Sequence, residues 1–287
     1  MTRFVTLDVF TDRRFGGNPL AVFPEADGLS SEEMQALARE FNMSEVAFVQ
    51  TPEDAANTAR VRIFTPEMEI GFAGHPNVGV GWLLAQEGRD RNSILRFEEA
   101  AGLVEVEVER RGGEVVSCLV AAPQALSEGQ TPTHDEIAAC ASLPVADIGA
   151  AALASVALNT VCAQVSASAL ARAKCDPVAF QRLAERRPDL AKICLLFLYC
   201  RDGDSVRARM FAPLSGSIED PATGSAAAAL TAYLLKQSDN AQLTLSFLQG
   251  VEMGRPSRFK ATAKRIDGDI KAWVGGGCVP ILKGELL

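Results

Sequence analysis

The heptapeptide Arg60-Val-Arg62-Ile-Phe64-Thr-Pro66 returns as Arg207-Ala-Arg209-Met-Phe211-Ala-Pro213, an offset of 207 − 60 = 147 in a chain of 287 residues. A repeat of half the chain means that each half must build a similar supersecondary unit. Read backwards without a gap, residues 46–50 precede the first copy and residues 193–197 the second. Both are apolar and strand-like. Each leads through a polar turn (Pro52-Glu-Asp, Arg201-Asp-Gly-Asp) into a second strand. This alignment sets Glu45 against Lys192, so the acid is not duplicated.

Helices flank the repeated strands on both sides. Ser30-Ser-Glu-Glu33 is a capping box opening one helix, and Asp176-Pro177 supplies N-cap and N1 for its counterpart. Downstream, Gly74-His75-Pro76-Asn77-Val78-Gly79 and Asp220-Pro221-Ala222-Thr223-Gly224-Ser225 each open a helix. In this reading Pro76 aligns with Pro221 and Gly79 with Gly224. Small apolar residues run nearly all round both helices, which predicts helices wrapped by sheet. Strands are expected over 4–10, 19–23, 93–109, 115–121, 157–165, 243–247, 257–266 and 270–275. Residues 103–108 show period-two alternation.

The length suggests roughly two domains at about 150 residues each. With 48% apolar and 22% charged residues the composition is that of a globular chain with a large core. Lysine plus arginine is 28 and aspartate plus glutamate 36, a net charge of −8. No basic footprint for nucleic acid or an anionic membrane is present. Seven cysteines, an odd number without a C-x-x-C pair, read as reduced and mostly buried thiols of a cytoplasmic protein. Two histidines, His75 and His134, make a His-rich metal site improbable, and no metal is expected. Residues 148–171 carry no charge over 24 positions, but their Ala, Ser, Asn159, Thr160 and Gln164 indicate a buried, strand-rich segment rather than a membrane span. Neither a P-loop nor a dinucleotide fingerprint is present, because Gly275-Gly-Gly-Cys is not followed by a helix.

A duplicated unit offers chemistry where its halves meet, in a cleft. The two Gly/Pro-rich helix starts could bind a carboxylate through free N–H groups. They could equally be ordinary caps, with Asp220 as N-cap and Pro221 at N1. Glu45, at a strand start beside a helix end, would be desolvated and its pKa raised toward the acid–base range. A salt-bridged edge glutamate is the alternative. His75, in a first helix turn, is disfavoured as a cation and suits substrate holding or proton relay, or only a structural hydrogen bond. His134 reads as a surface residue at another helix start. Asp8 and Asn18 bracket a Gly-Gly-Asn-Pro turn that could bring the Asn18 amide to the cleft.

Asp8-Val-Phe10, Gly17-Asn18-Pro19-Leu-Ala-Val, Asn42-Met-Ser44-Glu45, Gly74-His75-Pro76, Glu219-Asp220-Pro221-Ala222-Thr223-Gly224-Ser225-Ala226 and Gln249-Gly-Val-Glu-Met-Gly-Arg-Pro-Ser257, with Val274-Gly-Gly, resemble the PhzF-like (phenazine-biosynthesis-like) family in order along the whole chain. The resemblance implies an α/β (α+β), diaminopimelate-epimerase-like fold of two pseudo-symmetric lobes, each a curved mixed sheet around a central helix. The expected lobes are 1–120, with 276–287 a candidate to return to it, and 121–275. It also implies a cofactor-independent isomerase that moves a proton on trans-2,3-dihydro-3-hydroxyanthranilate or a similar small carboxylate. The family's acid–base glutamate matches Glu45, and its substrate-site residues match His75, Asp220, Ser225 and Asn18. The glycines Gly74 and Gly224 would let backbone approach the ligand. A homodimer is the family expectation. Asn77 departs from the threonine common in the family. The alternatives are an amino-acid racemase or epimerase and a non-catalytic metabolite-binding protein. Related racemases use one thiol from each lobe near the helix starts, and neither 74–79 nor 220–225 contains cysteine.

Overall fold

A computed structural model describes residues 2–190 and 194–287. Lys192 and Ile193, used in the gapless alignment, lie outside the described residues. The chain divides into two compact units, Met1–Pro123 with Val274–Leu287, and Gln124–Trp273.

The N-terminal unit runs β1 (Arg3–Val9), β2 (Asn18–Phe23), α1 (Ser31–Phe41), β3 (Glu45–Gln50), β4 (Ala59–Phe64), β5 (Glu69–Ile70), α2 (Gly74–Gln86), β6 (Ile94–Glu99), β7 (Gly102–Arg111) and β8 (Glu114–Ala121). The strand Cys278–Glu285 joins it, antiparallel to β1. The sheet is mixed. β2 lies parallel to β3 and β4 parallel to β6, while β1–β2, β3–β4, β4–β5, β6–β7 and β7–β8 are antiparallel. Period-two geometry sorts β3 between two faces. Val46 and Phe48 join Phe23, Met34 and Phe64 in a core under α1, so Glu45, Ala47 and Val49 face the other way, the side on which α2 packs. Ser30 and Glu33 form the expected capping box of α1.

The C-terminal unit runs β9 (Ser127–Gly129), α3 (His134–Ala141), β10 (Ala151–Ser155), β11 (Thr160–Gln164), α4 (Ala167–Arg172), α5 (Pro177–Arg186), β12 (Leu195–Asp202), β13 (Ser205–Ala212), β14 (Ser217–Asp220), α6 (Gly224–Lys236), β15 (Gln242–Gln249), β16 (Ser257–Ile266) and β17 (Asp269–Gly276), whose last residues pass into the N-terminal unit. Its pairings repeat the scheme, with β11 parallel to β12, β13 parallel to β15, and β12–β13, β13–β14 and β15–β16 antiparallel. The charge-free segment forms the β10–β11 hairpin and then α4, a short helix that strand periodicity did not reveal. Among the described residues no helix is long and apolar enough to cross a membrane.

Register corrects the gapless alignment. Val46 stands opposite Phe64, and Leu196 stands opposite Phe211. The two phenylalanines are equivalent by the repeated motif, so Glu45 corresponds to Leu195 and not to Lys192. The cause is the turn: Gln50 pairs with Arg60, whereas Asp202 pairs with Ser205 across a two-residue hairpin. Downstream, α2 begins at Gly74 and α6 at Gly224, so these two glycines correspond. Pro76 lies inside α2, whereas Pro221 lies before α6, and the Pro76–Pro221 and Gly79–Gly224 matches do not hold.

The repeated Arg-x-Phe has a structural reason. Arg62 binds Glu69 of β5 through Nε and Nη2 at 2.7 and 2.6 Å and lies over the Phe64 ring. Arg209 binds Glu219 of β14 at 2.8 Å through the same two atoms and lies over Phe211. Each bidentate pair fastens the short strand that leads into a central helix.

Both central helices are buried on nearly every face. In α2 this close approach requires glycine. A Cβ at Gly79 would stand 2.4 Å from Leu20 Cδ2, and one at Gly81 2.7 Å from Val106 Cγ1. In α6 a run of alanines, Ala226 to Ala229, fills the same role.

Candidate active site

In the N-terminal unit, β2, β3 and α2 bring together Asn18, Glu45, Gly74 and His75. Strand parity aims Glu45 at α2, where His75 occupies the first turn, and Nε2 of His75 lies 3.5 Å from Oε2 of Glu45. Both side chains are largely shielded from water. Burial pushes the Glu45 carboxyl up to about 7, with the Ser44 hydroxyl pulling the other way. At neutral pH the group therefore exists in both protonation states, the condition an acid–base residue needs. Ser44 also donates to Asn18 Oδ1 at 3.2 Å, which orients that buried amide.

The loop before Asn18 is held by Asp8, whose carboxylate accepts from the Phe15 N–H at 2.6 Å. Gly17 has φ +64, and a Cβ there would lie 2.2 Å from the Val9 carbonyl. Only glycine brings this chain segment past β1 into β2.

In the C-terminal unit, Asp220 ends β14 and is not the N-cap of α6. Thr223 is, and its hydroxyl donates to the Asp220 carboxylate instead of capping the helix. Gln249, fully buried at the end of β15, holds this loop from three directions. Its Nε2 donates to the Asp220 carbonyl at 2.8 Å and to Thr223 Oγ1 at 3.1 Å, and its Oε1 accepts from the Thr223 N–H at 3.1 Å. Gly250 (φ +73) follows because a Cβ there would meet the Pro221 carbonyl at 2.7 Å. Gly224 and Ser225 form the first turn of α6.

Neither α2 nor α6 takes a side-chain cap. A helix start without a side-chain cap is a place where an anion can be received. Ser44, Thr223 and Gln249 were not singled out as site residues from sequence. For Gln249 there was a signal, a polar residue closing an alternating strand just before an obligatory glycine.

Other candidates sit elsewhere. His134 is exposed beside the N-cap Thr133. All seven cysteines are free, five of them buried, and burial pushes the thiols of Cys118, Cys140 and Cys162 up to about 12. An open cavity of about 540 Å³ in the C-terminal unit, lined by Arg201, Arg207 and Arg258 among others, contains none of the candidate residues. Among the described residues no group of three or more His, Cys, Asp or Glu is placed to hold a metal ion.

The family model for phenazine biosynthesis-like proteins matches residues 7–284. The chain belongs to the phenazine biosynthesis-like protein family. Within this family it is 38% identical to the trans-2,3-dihydro-3-hydroxyanthranilate isomerase of Pseudomonas aeruginosa, over 92% of this chain and 91% of the relative. The fold matches that of a PhzF-family phenazine biosynthesis protein from Bacillus anthracis (TM-score 0.89, 24% identity, 100% and 99% of the two chains). It is also similar in fold to a probable proline racemase from Agrobacterium radiobacter (TM-score 0.62, 13% identity, 100% and 93%). The mixed α/β architecture is thus that of the phenazine biosynthesis-like and diaminopimelate-epimerase-like proteins, and the chain is an isomerase of the former family.

Proposed function

We propose that the protein is a cofactor-independent isomerase that moves a proton along a small, carboxylate-bearing, cyclic unsaturated substrate of the trans-2,3-dihydro-3-hydroxyanthranilate type. The observation that carries this reading is the Glu45–His75 pair, with a buried carboxyl pushed up to about 7 and set 3.5 Å from a first-turn imidazole. Glu45, ionised, takes a proton from a carbon acidified by the substrate's unsaturated system. The same group, now protonated, returns it to another carbon, so no proton is gained or lost overall. His75 and Asn18 hold polar groups of the substrate and the helix start at Gly74 receives its carboxylate, while Asp220, Ser225 and Gly224 are the substrate-binding residues we propose in the C-terminal unit. The isomerase named for the Pseudomonas aeruginosa relative supports the substrate class. Free thiols throughout agree with action in the cytoplasm, and a homodimer is the assembly we propose, to be tested by light scattering.

Glu45→Gln is the decisive variant. It keeps the shape and a hydrogen bond while removing the proton carrier. With trans-2,3-dihydro-3-hydroxyanthranilate in D2O, the wild type should isomerise the ring and exchange the migrating proton with solvent. The variant should bind and do neither. Turnover retained by Glu45→Gln would refute the assignment, and binding without exchange by the wild type would mark a metabolite-binding protein.

A further inference from the structure

In each unit the duplicated sheet turns one face to solvent, and the two faces carry opposite charge. Side chains alternate along β7, where Val104, Val106 and Val108 are buried, Val106 against α2, while Glu105, Glu107 and Glu109 are exposed. In β16, Phe259, Ala261 and Ala263 are buried, while Arg258, Lys260 and Lys264 are exposed and Thr262 between the lysines is half-buried. Register lets the two faces be matched residue by residue. Arg60 and Arg207 of the repeated motif stand beside Glu98 and Leu248. Across the next hairpin Glu98 faces Leu103, and Leu248 faces Arg258. Counting on, Arg96–Glu105 corresponds to Ser246–Lys260, and Ile94–Glu107 to Thr244–Thr262. Glu109 then corresponds to Lys264. Twice in one strand, a lysine of the C-terminal unit stands where the N-terminal unit has a glutamate.

The two charged rows share one geometry. Glu105 and Glu109 are four residues apart, as are Lys260 and Lys264, a step of about 13 Å along a strand. A leucine flanks each row at the same level of the strand pair: Leu103, 57% exposed, opposite Glu98, and half-buried Leu248 opposite Arg258. Local pairing leaves most of the charge unused. Glu105 takes Arg96 at 2.8 Å in an exposed pair, and Glu109 takes the Ser117 hydroxyl at 2.6 Å with Arg111 at 3.9 Å. Among the described residues Glu107, Arg258, Lys260 and Lys264 have no oppositely charged partner, and Lys264 lies over the Trp273 ring at 5.5 Å. A polyanion is a poor occupant of the basic face, because the whole chain stands at −8. A second copy of the chain carries the complement of both faces at matching spacing.

We propose that the protein pairs with a second copy of itself through these faces, the Glu105–Glu107–Glu109 face of each copy resting on the Lys260–Lys264 face of the other. A contact between unlike faces adds copies without end unless a twofold makes it twice. Made twice, it closes at two copies and uses both charged faces of both chains. Sheets that pack face to face lie about 10 Å apart, within reach of two rows of long side chains. Lys260 and Lys264 thereby gain the acids they lack within their own chain. The attraction sets register and selects the partner, since acid on acid or base on base is repelled. This pairing rests on the homodimer proposed above and assigns its faces; it is independent of the isomerase chemistry.

A charge swap in the full chain, read by sedimentation velocity and light scattering, tests the pairing. The wild type should be a dimer at low salt, with a Kd that rises roughly tenfold or more toward about 1 M salt, where the Debye length is about 3 Å. Lys260→Glu with Lys264→Glu makes both faces acidic, and Glu105→Lys with Glu109→Lys makes both basic. Each double variant should be folded by circular dichroism and monomeric, its self-association weakened roughly a hundredfold or more. Mixed in equal amounts, the two should recover a dimer holding one chain of each kind, because every contact again sets acid on base. All four substitutions in one chain exchange the faces and should restore the homodimer. Neither recovery can come from misfolding. Should a double variant not fold, the fourfold variant and the salt series decide. Double variants that dimerise as tightly as the wild type, or a mixture and a fourfold variant that both stay monomeric, overturn these faces and leave the homodimer standing. A wild type that is monomeric at low salt overturns both, and one that keeps adding copies overturns the closed pair. None of these results touches the turnover of Glu45→Gln, so failure here and failure of the isomerase reading are seen separately.

Discussion

Glu45 and Leu195 occupy one position in two copies of the same scaffold. Each opens the strand that runs parallel to its neighbour, opposite Leu20 in one unit and Thr160 in the other. Each precedes the residue facing the Arg-x-Phe phenylalanine. One is a carboxyl pushed up to about 7 and set against a histidine, and the other is a buried leucine. The two central helices differ in the same sense. The first turns of α2 carry His75 and Asn77, and those of α6 carry Ser225 and alanines. Among the described residues the only carboxyls pushed well upward, Glu45 and Glu99, both belong to the N-terminal unit. Duplication supplied the frame twice, and the titrating chemistry was placed in one copy, while the other kept a fixed, fully bonded Asp220–Thr223–Gln249 loop.

The sharpest way to break this asymmetry is to remove the proton carrier. Glu45→Gln should cost about 10²–10⁴-fold in kcat with substrate binding preserved, whereas Leu195→Gln should leave the chemistry alone and act on stability. In the wild type, kcat/KM should rise with pH up to about 7 as Glu45 ionises, and this rising limb should be absent from the residual activity of the variant. A stopped-flow or spectrophotometric pH profile reads both.

The next effect contrasts the two arginines. Arg209 is nearly fully buried and, besides Glu219, donates to the carbonyls of Leu170 and Ala173 at the end of α4, at 3.1 and 2.7 Å. Arg62 is more exposed, and its further partners are Ser31 and the Met34 sulfur. Arg209→Ala strands a half-buried glutamate and two carbonyls and should cost about 3 kcal/mol, the low end for a broken buried pair. Arg62→Ala should cost about 1–2 kcal/mol, closer to a partly exposed pair. Urea unfolding of both variants measures the difference, and equal costs would mean that the two copies are energetically alike.

How much of this was legible in the sequence follows from what each signal encodes. The repeated Arg-x-Phe marked the frame correctly because it performs the same bonding task in both halves. The central helices were legible from their small residues, and so was the absence of a second acid at the position equivalent to Glu45, although the counterpart was misread. The offset was not constant, however. Hairpin length is invisible to residue matching, so the true counterpart of Glu45 was misplaced by three residues. The same limit put Asp220 at the N-cap. Asp-Pro is a strong local capping signal, but the β13–β14 pairing holds Asp220 in a strand and passes the cap to Thr223. Burial of a carboxyl, as at Glu99 near the end of the N-terminal sheet's β6, arises from tertiary packing and has no local signature.

Acid titration separates the units a third way. Glu45 and Glu99 both have raised folded values, so each contributes stability that is whole below about 4.5 and is lost as pH climbs to about 7 and about 8 respectively. The N-terminal unit should therefore be the one that loosens between pH 5 and 8. Hydrogen exchange of α2 amides should accelerate over this range beyond the intrinsic pH effect, and that of α6 amides should not. Equal acceleration in both helices would assign the loss to a group outside the N-terminal unit.

The smallest effect concerns how each unit lets its central helix approach the sheet. Gly79→Ala adds a methyl 2.4 Å from Leu20 Cδ2 and 3.0 Å from Val9 Cγ2, in a core where both residues are fully buried. Overpacking of this kind costs about 1–3 kcal/mol, and about 1 kcal/mol returns because alanine favours the helix over glycine. A net loss of up to about 2 kcal/mol is expected. Leu20→Val retracts the obstructing methyl, so the double variant should lose less than the two single losses together, by more than the ~0.5 kcal/mol expected for independent sites. In α6 the reverse change, Ala228→Gly, meets no such neighbour requirement and should cost only about 1 kcal/mol of helix propensity plus the buried methyl it removes. Were Gly79→Ala stabilising, α2 would tolerate the alanine packing of α6, and its glycines would have to be explained by the ligand side of the helix instead of by the sheet.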